Sequence, residues 1–385
     1  MRIAGLALLI VAGCTGGDDT PPAPPAESAA SPASAAPTSS AAPIKQRRQV
    51  TLLAGGDVSF GRSYGQMLLR DPTLNHLAPL TPLFETADIR FINLECPVSD
   101  QQGETESPIN RLVFTAPPAA AQVLSRCGID MVSLANNHAW DYGRDALFET
   151  FDHLERAKVA YVGAGRTRAD AYAPRVVTRD GFTVAFVATT AVWNQEFSPH
   201  PGREHIAGED PEALVDAIKR ARAIDGVDKV IVSHHGGYEY VDQPHALTMD
   251  LARTAIEAGA DAFIGHHPHV VQRVVFYDDK PVFYSLGNLL MRMKSGEPWT
   301  EFGLMARLVL KKDGASEVFA CPVRIFGWDP IPLANDPKRR ASEGHFRAKF
   351  EKLLRDGALI EPEAGAVELG AFGDDGCAPI RPLPR

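Results

Sequence analysis

The chain has 385 residues, of which 45% are hydrophobic and 23% are charged, and its net charge is −9. This length allows one large domain or two ordinary ones with a well-packed core. The acidic balance argues against a general nucleic-acid binder, which needs a basic surface. An anionic substrate would have to be attracted by local positive charge, and a bound metal ion is the most direct source of it.

Residues 1–14 have the features of a bacterial lipoprotein signal peptide. A basic start precedes an apolar run, residues 3–13, that is too short to span a bilayer. The run ends in small residues directly before Cys14, so we expect cleavage there and a lipid on that cysteine; an ordinary secretory signal with a chance cysteine is the alternative. The predicted location is the cell envelope, and the outer membrane if the host is Gram-negative, because Thr15 rather than Asp follows Cys14.

Residues 15–44 are rich in Ala, Pro and Ser and contain few large apolar side chains. Such a segment cannot bury enough surface to offset the entropy lost on ordering, so it is predicted to be a disordered tether. The folded domain is expected at 45–330. The last segment, 331–385, is rich in Pro, Gly and charge and weakly periodic, and it is predicted to be a C-terminal extension.

Strand and helix patterns alternate along the folded part. Strands are predicted at 49–55, 89–94, 131–135, 184–189, 229–233, 262–264, 282–284 and 302–310. Helices are predicted at 118–127, 145–157, 211–224 and 246–257. This alternation, with additional hairpins near the end, predicts an α/β fold.

Four cysteines follow the predicted tether. An exported protein can hold disulfides, and a bond between Cys321 and Cys377 is one arrangement that would fix the C-terminal segment. Cys96 and Cys127 lie in apolar segments and are expected to be core thiols.

Polar side chains repeatedly follow the ends of the predicted strands. They are Asp57, Glu95, Asn136, Asn137, His138, His234, His235, His266, His267 and His269. In α/β sheets the carboxyl ends of the strands line the ligand crevice. A single strand-end Asp or Asn is usually a cap or turn residue, so the joint occurrence, rather than any one residue, indicates a functional site.

The segment GADAFIGHHPHVVQ, residues 259–272, is the densest of these clusters. Neutral imidazole is the commonest metal ligand in proteins. Residues two apart in an extended segment project to one face, so His267 and His269 are expected to point at one centre and His266 away from it. We therefore expect two of the three histidines to be ligands and the third to be structural.

The mixture of oxygen and imidazole donors suits manganese, zinc or iron. The predicted ligands are Asp57, Glu95, Asn137, His235, His267 and His269. These donors exceed one tetrahedral site, so one or two divalent ions are expected. A pair would lie about 3.5–4 Å apart and share a carboxylate.

Six motifs occur in a fixed order along the chain. They are GGDVSFGR at 55–62, INLECPVS at 92–99, VSLANNHAWDYG at 132–143, SHHGGYEY at 233–240, GADAFIGHHPHVVQ at 259–272 and FYSLGNLL at 283–290. Together they resemble the CapA family, named for a poly-γ-glutamate capsule biosynthesis protein, which is similar in turn to the calcineurin-like metallophosphoesterases. The resemblance implies a four-layer αββα sandwich.

The resemblance also implies roles for individual residues. Asp57 matches the first metal ligand, Glu95 the shared carboxylate, Asn137, His235, His267 and His269 the further ligands, and His138 an acid that faces the substrate. Asp141 is expected to orient His138. Arg62 and Glu239 are expected to contact the substrate. A surface ion pair is the alternative for Arg62, and an indirect contact with the metal is the alternative for Glu239.

Three positions complicate this assignment. Ser59 stands where the phosphoesterases place a histidine, Gly236 stands where the family has a tryptophan, and His234 is a rival to His235 as ligand. Serine is a poor ligand, so the two metal sites should differ in strength. The firm site is expected to use Glu95, Asn137, His235 and His267, and the weak site Asp57, Glu95 and His269.

The expected function is metal-dependent hydrolysis of a phosphoester, or of an amide in a glutamate polymer, with His138 giving a proton to the leaving group. The family association points to the synthesis or export of poly-γ-glutamate. The alternative is a non-catalytic, metal-containing accessory lipoprotein beside a membrane synthase complex. A module in which the metal only stabilises the fold is the third possibility.

Overall fold

The computed structural model describes residues 47–194, 204–293 and 298–384. The predicted signal peptide, Cys14 and the tether at 15–44 lie outside these residues. Across the described ranges, no helix is both long enough and apolar enough to cross a membrane.

The strands of the described residues are numbered in chain order. They are β1 Gln49–Val58, β2 Ile89–Leu94, β3 Met131–Ser133, β4 Ala160–Val162, β5 Arg175–Arg179, β6 Phe182–Thr190, β7 Val227–His235, β8 Ala262–His266, β9 Val274–Tyr277, β10 Lys280–Phe283, β11 Asn288–Leu290, β12 Phe302–Lys311, β13 Glu317–Phe326, β14 Asp329–Pro332, β15 Val367–Leu369 and β16 Ala378–Pro382.

The α-helices are numbered in the same way. They are α1 Arg62–Arg70, α2 Thr81–Phe84, α3 Ala119–Arg126, α4 Gly143–Ala157, α5 Arg168–Ala171, α6 Pro211–Ala223, α7 Ala246–Glu257 and α8 Arg339–Ile360. The strand predicted at 89–94 and the helix predicted at 246–257 are observed with the same bounds. Asp210 accepts a hydrogen bond from the Ala213 amide and so caps α6.

The strands form two sheets. The first has the order β15-β16-β13-β12-β1-β2-β3-β4, with β11 paired to β1 and β14 paired to β13. The second has the order β5-β6-β7-β8-β10-β9. The run β1 to β4 is parallel in the first sheet, and β6, β7, β8 and β10 are parallel in the second.

Alternating side chains divide the core into layers. In β1, Leu52 packs in the cluster between the two sheets, where Phe91 stacks on Phe186 of the opposite sheet with ring centroids 5.3 Å apart. The next residue, Leu53, packs with residues of α1, α3 and α4 outside the first sheet. Val187 of β6 packs with α6 and α7 outside the second. Because strand residues alternate between faces, the order of layers is helix, sheet, sheet, helix, which confirms the four-layer αββα sandwich.

The segment predicted as a C-terminal extension contains α8 and supplies β15 and β16 to the first sheet. The weak periodicity of this segment was a poor guide to its structure. Phe346, Phe350, Leu353 and Leu354 are buried on one face of α8. Charged residues occupy much of the rest of the helix, so its average composition conceals the apolar stripe.

Cys321 of β13 and Cys377, next to β16, form a disulfide with their Cα atoms 4.1 Å apart. The bond fixes the last strand to the sheet. Cys96 is a fully buried core thiol, as expected. Cys127 is only half-buried, and its sulfur lies 3.3 Å from the Asn75 amide nitrogen.

A buried ion pair joins the end of α8 to the second sheet. Arg273 is 1% exposed and donates to the Glu361 carboxylate through Nε at 3.0 Å. The other carboxylate oxygen accepts from the hydroxyls of Tyr277 at 2.5 Å and Tyr284 at 2.6 Å. Every polar group of this network is satisfied, so breaking one member leaves a buried charge.

We expect Arg273→Met to lower the free energy of unfolding by about 3–5 kcal/mol, because Glu361 would stay buried without its counter-ion. Urea denaturation followed by circular dichroism measures the change. The control Lys352→Met breaks an exposed pair with Asp356 on the same helix and should cost less than about 1 kcal/mol. Equal costs for the two variants would contradict the importance of the buried pair.

Candidate metal centre

The predicted donors meet where the carboxyl ends of the two parallel runs converge. Asp57 of β1 pairs in register with Asn93 of β2 and with Asn288 of β11. In the second sheet, His235 of β7 pairs with His266 of β8. Gly56 makes this approach possible, because a Cβ there would lie 2.0 Å from the Gly287 carbonyl oxygen.

Two groups of buried donors result, and Glu95 belongs to both. One group is Glu95, His235 and His267, and the other is Asp57, Glu95 and His269; within each group the ligand atoms lie within 4.8 Å of one another. The Asn137 side-chain oxygen lies 2.8 Å from Nε2 of His235 and so extends the first group. These are the two donor sets expected for the firm and the weak site.

The Glu95 carboxylate fits a bound cation. Its exposure is 0%, and neither of its oxygens has a hydrogen-bond partner among the described residues. A buried carboxylate without partners costs far more free energy than a protein normally tolerates. Imidazole and carboxylate donors around it match the chemistry of a divalent transition metal.

The electrostatics of the two carboxylates also favour a cation. Burial and the negative charge of Asp57 raise the pKa of Glu95 well above its ordinary value. Burial also acts to raise the pKa of Asp57, but contacts with His266 and His269 outweigh burial and hold it well below its ordinary value. A divalent cation would offset the repulsion that keeps Glu95 from ionising.

The histidines next to Glu95 are in the form that binds metals. Burial and the neighbouring His269 lower the pKa of His267 to about 3. Burial and His267 lower the pKa of His235 as well. Both imidazoles are therefore neutral near pH 7 and have a lone pair to give. Burial acts to lower the pKa of His269 too, but the carboxylate of Asp57 raises it overall.

The expectation of an extended segment at 266–269 was wrong. The strand β8 ends at His266, and the next two imidazole-bearing residues have positive φ angles, 98° at His267 and 57° at His269. His266 does not turn away from the site, because its Nδ1 lies 3.4 Å from an Asp57 oxygen. Two left-handed residues, rather than the two-residue period of a strand, bring His267 and His269 to Glu95.

Two histidines of β7, His234 and His235, are candidate metal ligands. His235 is the one near Glu95, with its Nε2 3.9 Å from Glu95 Oε1. His234 points to the other side, and its Nδ1 lies 3.1 Å from the Thr189 hydroxyl. Its Nε2 lies 2.5 Å from the place that a Cβ at Gly236 would occupy. The space beside Gly236 is therefore partly filled by His234.

His138 lies at the edge of the donor cluster with a defined orientation. Its Nδ1 is 2.8 Å from Asp141 Oδ2, and its Nε2 is 4.0 Å from Glu95 Oε1. Asp141 is itself fixed by the Phe114 amide, which donates to it at 3.0 Å. The carboxylate therefore holds the proton on Nδ1 and aims Nε2 at the site, as expected for Asp141.

The two predicted substrate contacts lie at the rim rather than in the cluster. The Arg62 guanidinium stacks on Phe114, 4.3 Å from its ring centroid, and donates to the Arg111 carbonyl at 3.0 Å. Glu239 is exposed. Its negative charge is nevertheless one cause of the raised pKa of Glu95, smaller than burial and the charge of Asp57.

Three asparagines outside the predicted ligand set support the donors. Asn93 donates to Asp57 Oδ1 at 2.8 Å, and Asn288 Oδ1 accepts from His269 Nδ1 at 2.9 Å. Asn194 contacts both Asn137, at 3.0 Å, and Asp141, at 3.3 Å. Asn93 and Asn288 lie inside the quoted motifs. Asn194 follows the end of β6, so the strand-end rule extended to that strand would have found it.

The chain belongs to the family described as bacterial capsule synthesis protein PGA_cap, which matches residues 51–293. It is 28% identical over 282 residues to the PGA biosynthesis protein CapA of Bacillus subtilis (strain 168), and the alignment covers 73% of each chain. It is 29% identical over 308 residues to the capsule biosynthesis protein CapA of Bacillus anthracis, covering 76% of this chain and 72% of that one.

Among solved structures, the fold is similar to the calcineurin-like phosphoesterase YfkN from Bacillus subtilis. The sequence identity is 16%, the TM-score is 0.45, and the match covers 80% of this chain and 99% of that chain. The family that the six motifs resemble is therefore confirmed by the family match and by the CapA relatives.

In the absence of metal, we expect Glu95→Gln to raise the midpoint of thermal unfolding at pH 7. The pKa of Glu95 is raised in the folded state, so ionisation at neutral pH opposes folding, and the amide removes that cost. With manganese at 100 times its dissociation constant, the native protein should instead gain about 2.7 kcal/mol, and the variant should gain little.

Differential scanning calorimetry with EDTA or with added manganese measures both effects. The matched control is Glu257→Gln, an exposed residue at the end of α7, which should change neither midpoint. A variant at Glu95 that is stabilised by manganese as strongly as the native protein would contradict the assignment of this carboxylate.

Proposed function

We propose that this chain is a divalent-metal-dependent hydrolase that acts in the synthesis of a poly-γ-glutamate capsule or exopolymer. The observation that carries the proposal is the fully buried Glu95 carboxylate, whose oxygens are unpaired among the described residues and which two donor groups share. A stabilising role alone would not require an oriented acid beside it, whereas His138 is held there by Asp141.

The proposed ligands form two sites. Glu95, Asn137, His235 and His267 would hold the firmer ion, and Asp57, Glu95 and His269 the weaker one. A divalent ion there would supply a Lewis acid and a source of hydroxide at neutral pH. Ser59 supports the difference in strength, because its hydroxyl accepts from the Gly61 amide at 3.3 Å and is a much weaker donor than imidazole.

The protein's own residues would handle the proton and the substrate. Asp141 holds the His138 ring so that Nε2 faces the reacting bond, and protonated Nε2 would pass a proton to the leaving group. The guanidinium of Arg62 would bind an anionic group at the rim. Glu239 would take a position near an amine of the substrate, since its negative charge acts on Glu95.

The relatives support the proposed substrate class, and Cys14 supports the proposed location. The names of the Bacillus proteins support a role in capsule polymer synthesis, and the bond would be a phosphoester or a γ-glutamyl amide. We propose that the chain is exported and held at the cell envelope by a lipid on Cys14, so that the domain works beside a membrane synthase complex. Outer-membrane attachment is proposed for a Gram-negative host.

We expect His138→Ala to retain its metal and lose most of its activity. The imidazole is the oriented acid but is outside both donor groups, so kcat/KM should fall by about 10²–10⁴. Metal content by plasma mass spectrometry and hydrolysis of bis(p-nitrophenyl) phosphate and of γ-glutamyl amides are the measurements.

His153→Ala on α4 is the matched control, because His153 contacts Arg156 on the same helix. It should leave both metal content and turnover unchanged. Full activity in His138→Ala, or loss of its metal, would refute the role given to His138.

A further inference from the structure

Tyr240 lies beside the metal centre and has no role in the proposed reaction so far. Its ring centroid lies 6.1 Å from that of His269, and its side chain is half-buried. The negative charge of Glu95 acts on its hydroxyl, and so does the positive charge of Arg62 at the rim of the site. The phenol therefore lies at the border between the buried donors and solvent, which a substrate of the metal centre has to cross.

The backbone at Tyr240 is fastened to the segment that carries two of the proposed ligands. Its amide donates to the Pro268 carbonyl at 2.8 Å, and the Gly236 amide donates to the His266 carbonyl at 3.0 Å. Pro268 stands directly between the two ligand histidines in the sequence. The position of the Tyr240 backbone is thus coupled to that of the donors, and a fixed position is what contact with a reacting bond requires.

Tyr240 has a backbone conformation that a bulky residue rarely adopts. Its φ is 62°, in the left-handed region. Glycine or asparagine would occupy this position with less strain. Strain of this kind is concentrated at functional sites, where the surrounding structure over-determines it. A turn alone would therefore favour a residue other than tyrosine here.

The hydroxyl of Tyr240 is a hydrogen-bond donor whose present partner can be replaced. It contacts the carboxylate of Glu239, which is an exposed side chain. Burial and the charge of Glu239 raise the pKa of Tyr240, so the hydroxyl keeps its proton at neutral pH. When an oxygen of a substrate takes the place of Glu239, that carboxylate returns to water and loses little, because it is already exposed.

The groups around this hydroxyl favour an oxygen with negative charge. Arg62 interacts with both Tyr240 and Glu95, so the guanidinium and the phenol lie near each other and near the buried carboxylate. A divalent ion on Glu95 would add positive charge. His138 and His269 each place Nε2 4.0 Å from Glu95 Oε1, so the proposed acid and the histidine beside Tyr240 meet at one carboxylate oxygen.

We propose that Tyr240 is a further catalytic residue, whose hydroxyl donates a hydrogen bond to an oxygen of the reacting phosphoryl or acyl group. This role rests on the proposed function and adds to it a donor for the negative charge that develops on that oxygen. Such a donor stabilises the transition state more than the bound substrate. Tyr240 transfers no proton and forms no covalent bond, and His138 remains the acid.

Tyr240→Phe removes the hydroxyl and keeps the ring. Isothermal titration calorimetry of the manganese-loaded, full-length protein with inorganic phosphate measures the binding of an oxyanion without turnover. The variant should bind phosphate roughly tenfold more weakly, because a hydrogen bond to a charged group is lost. Its kcat/KM for bis(p-nitrophenyl) phosphate should fall by about 10², mainly through kcat. Manganese content and the midpoint of thermal unfolding should stay unchanged, because the ring and the backbone contacts remain.

Tyr238→Phe is the matched control, since it removes a hydroxyl from the same loop. Tyr238 is 63% exposed, and its ring packs edge-on against His245 with the centroids 4.9 Å apart. This variant should keep the native affinity for phosphate and the native turnover.

Native phosphate affinity in Tyr240→Phe would overturn the proposal, and so would an equal loss in Tyr238→Phe. Loss of manganese from Tyr240→Phe would show a structural role instead, and failure of the native protein to bind phosphate would overturn the proposal too. Turnover distinguishes these results from failure of the proposed function. Ester hydrolysis that Tyr240→Phe leaves intact removes the role of Tyr240 alone. Phosphate binding that depends on the hydroxyl, without hydrolysis of any ester or γ-glutamyl amide, removes the hydrolase and leaves Tyr240 as an oxyanion-binding residue.

Discussion

The burial of one carboxylate, Glu95, without a hydrogen-bond partner among the described residues is the constraint on which the account of this structure depends. Glu95 is enclosed by two sheets, and its oxygens are unpaired among the described residues. Hydrophobic packing of the sandwich produces this enclosure, because it brings the carboxyl ends of β1, β2, β7 and β8 to one edge. The fold therefore creates an electrostatic cost, the burial of the Glu95 carboxylate, that a divalent ion would remove. Glu95 would then affect both the stability of the fold and the chemistry of the site.

The asparagines around the donors explain how the cluster keeps its geometry. Asn93 and Asn288 bind Asp57 and His269 from neighbouring strands, so the donor group of Asp57, Glu95 and His269 is fixed by sheet register. Asn194 links Asn137 to Asp141 and so joins the donor group of Glu95, His235 and His267 to the proposed acid. Supporting contacts of this kind orient metal ligands and tune their basicity.

Much of this arrangement could be predicted from the sequence, because the carboxyl ends of the strands in a parallel sheet lie together and line the ligand crevice. The donors at Asp57, Glu95 and His235 follow apolar strands, and the rule that such ends converge was enough to group them. The path of the chain through 266–269 could not be predicted, since the positive φ angles there depend on tertiary contacts. The helix α8 was missed because its apolar stripe is narrow and charged residues surround it.

The most direct test is anomalous X-ray diffraction from crystals of the protein grown with manganese. The account predicts a strong peak enclosed by Glu95, Asn137, His235 and His267, and a weaker one beside Asp57 and His269. Crystals that diffract well but show no anomalous peak within bonding distance of Glu95 would contradict the account.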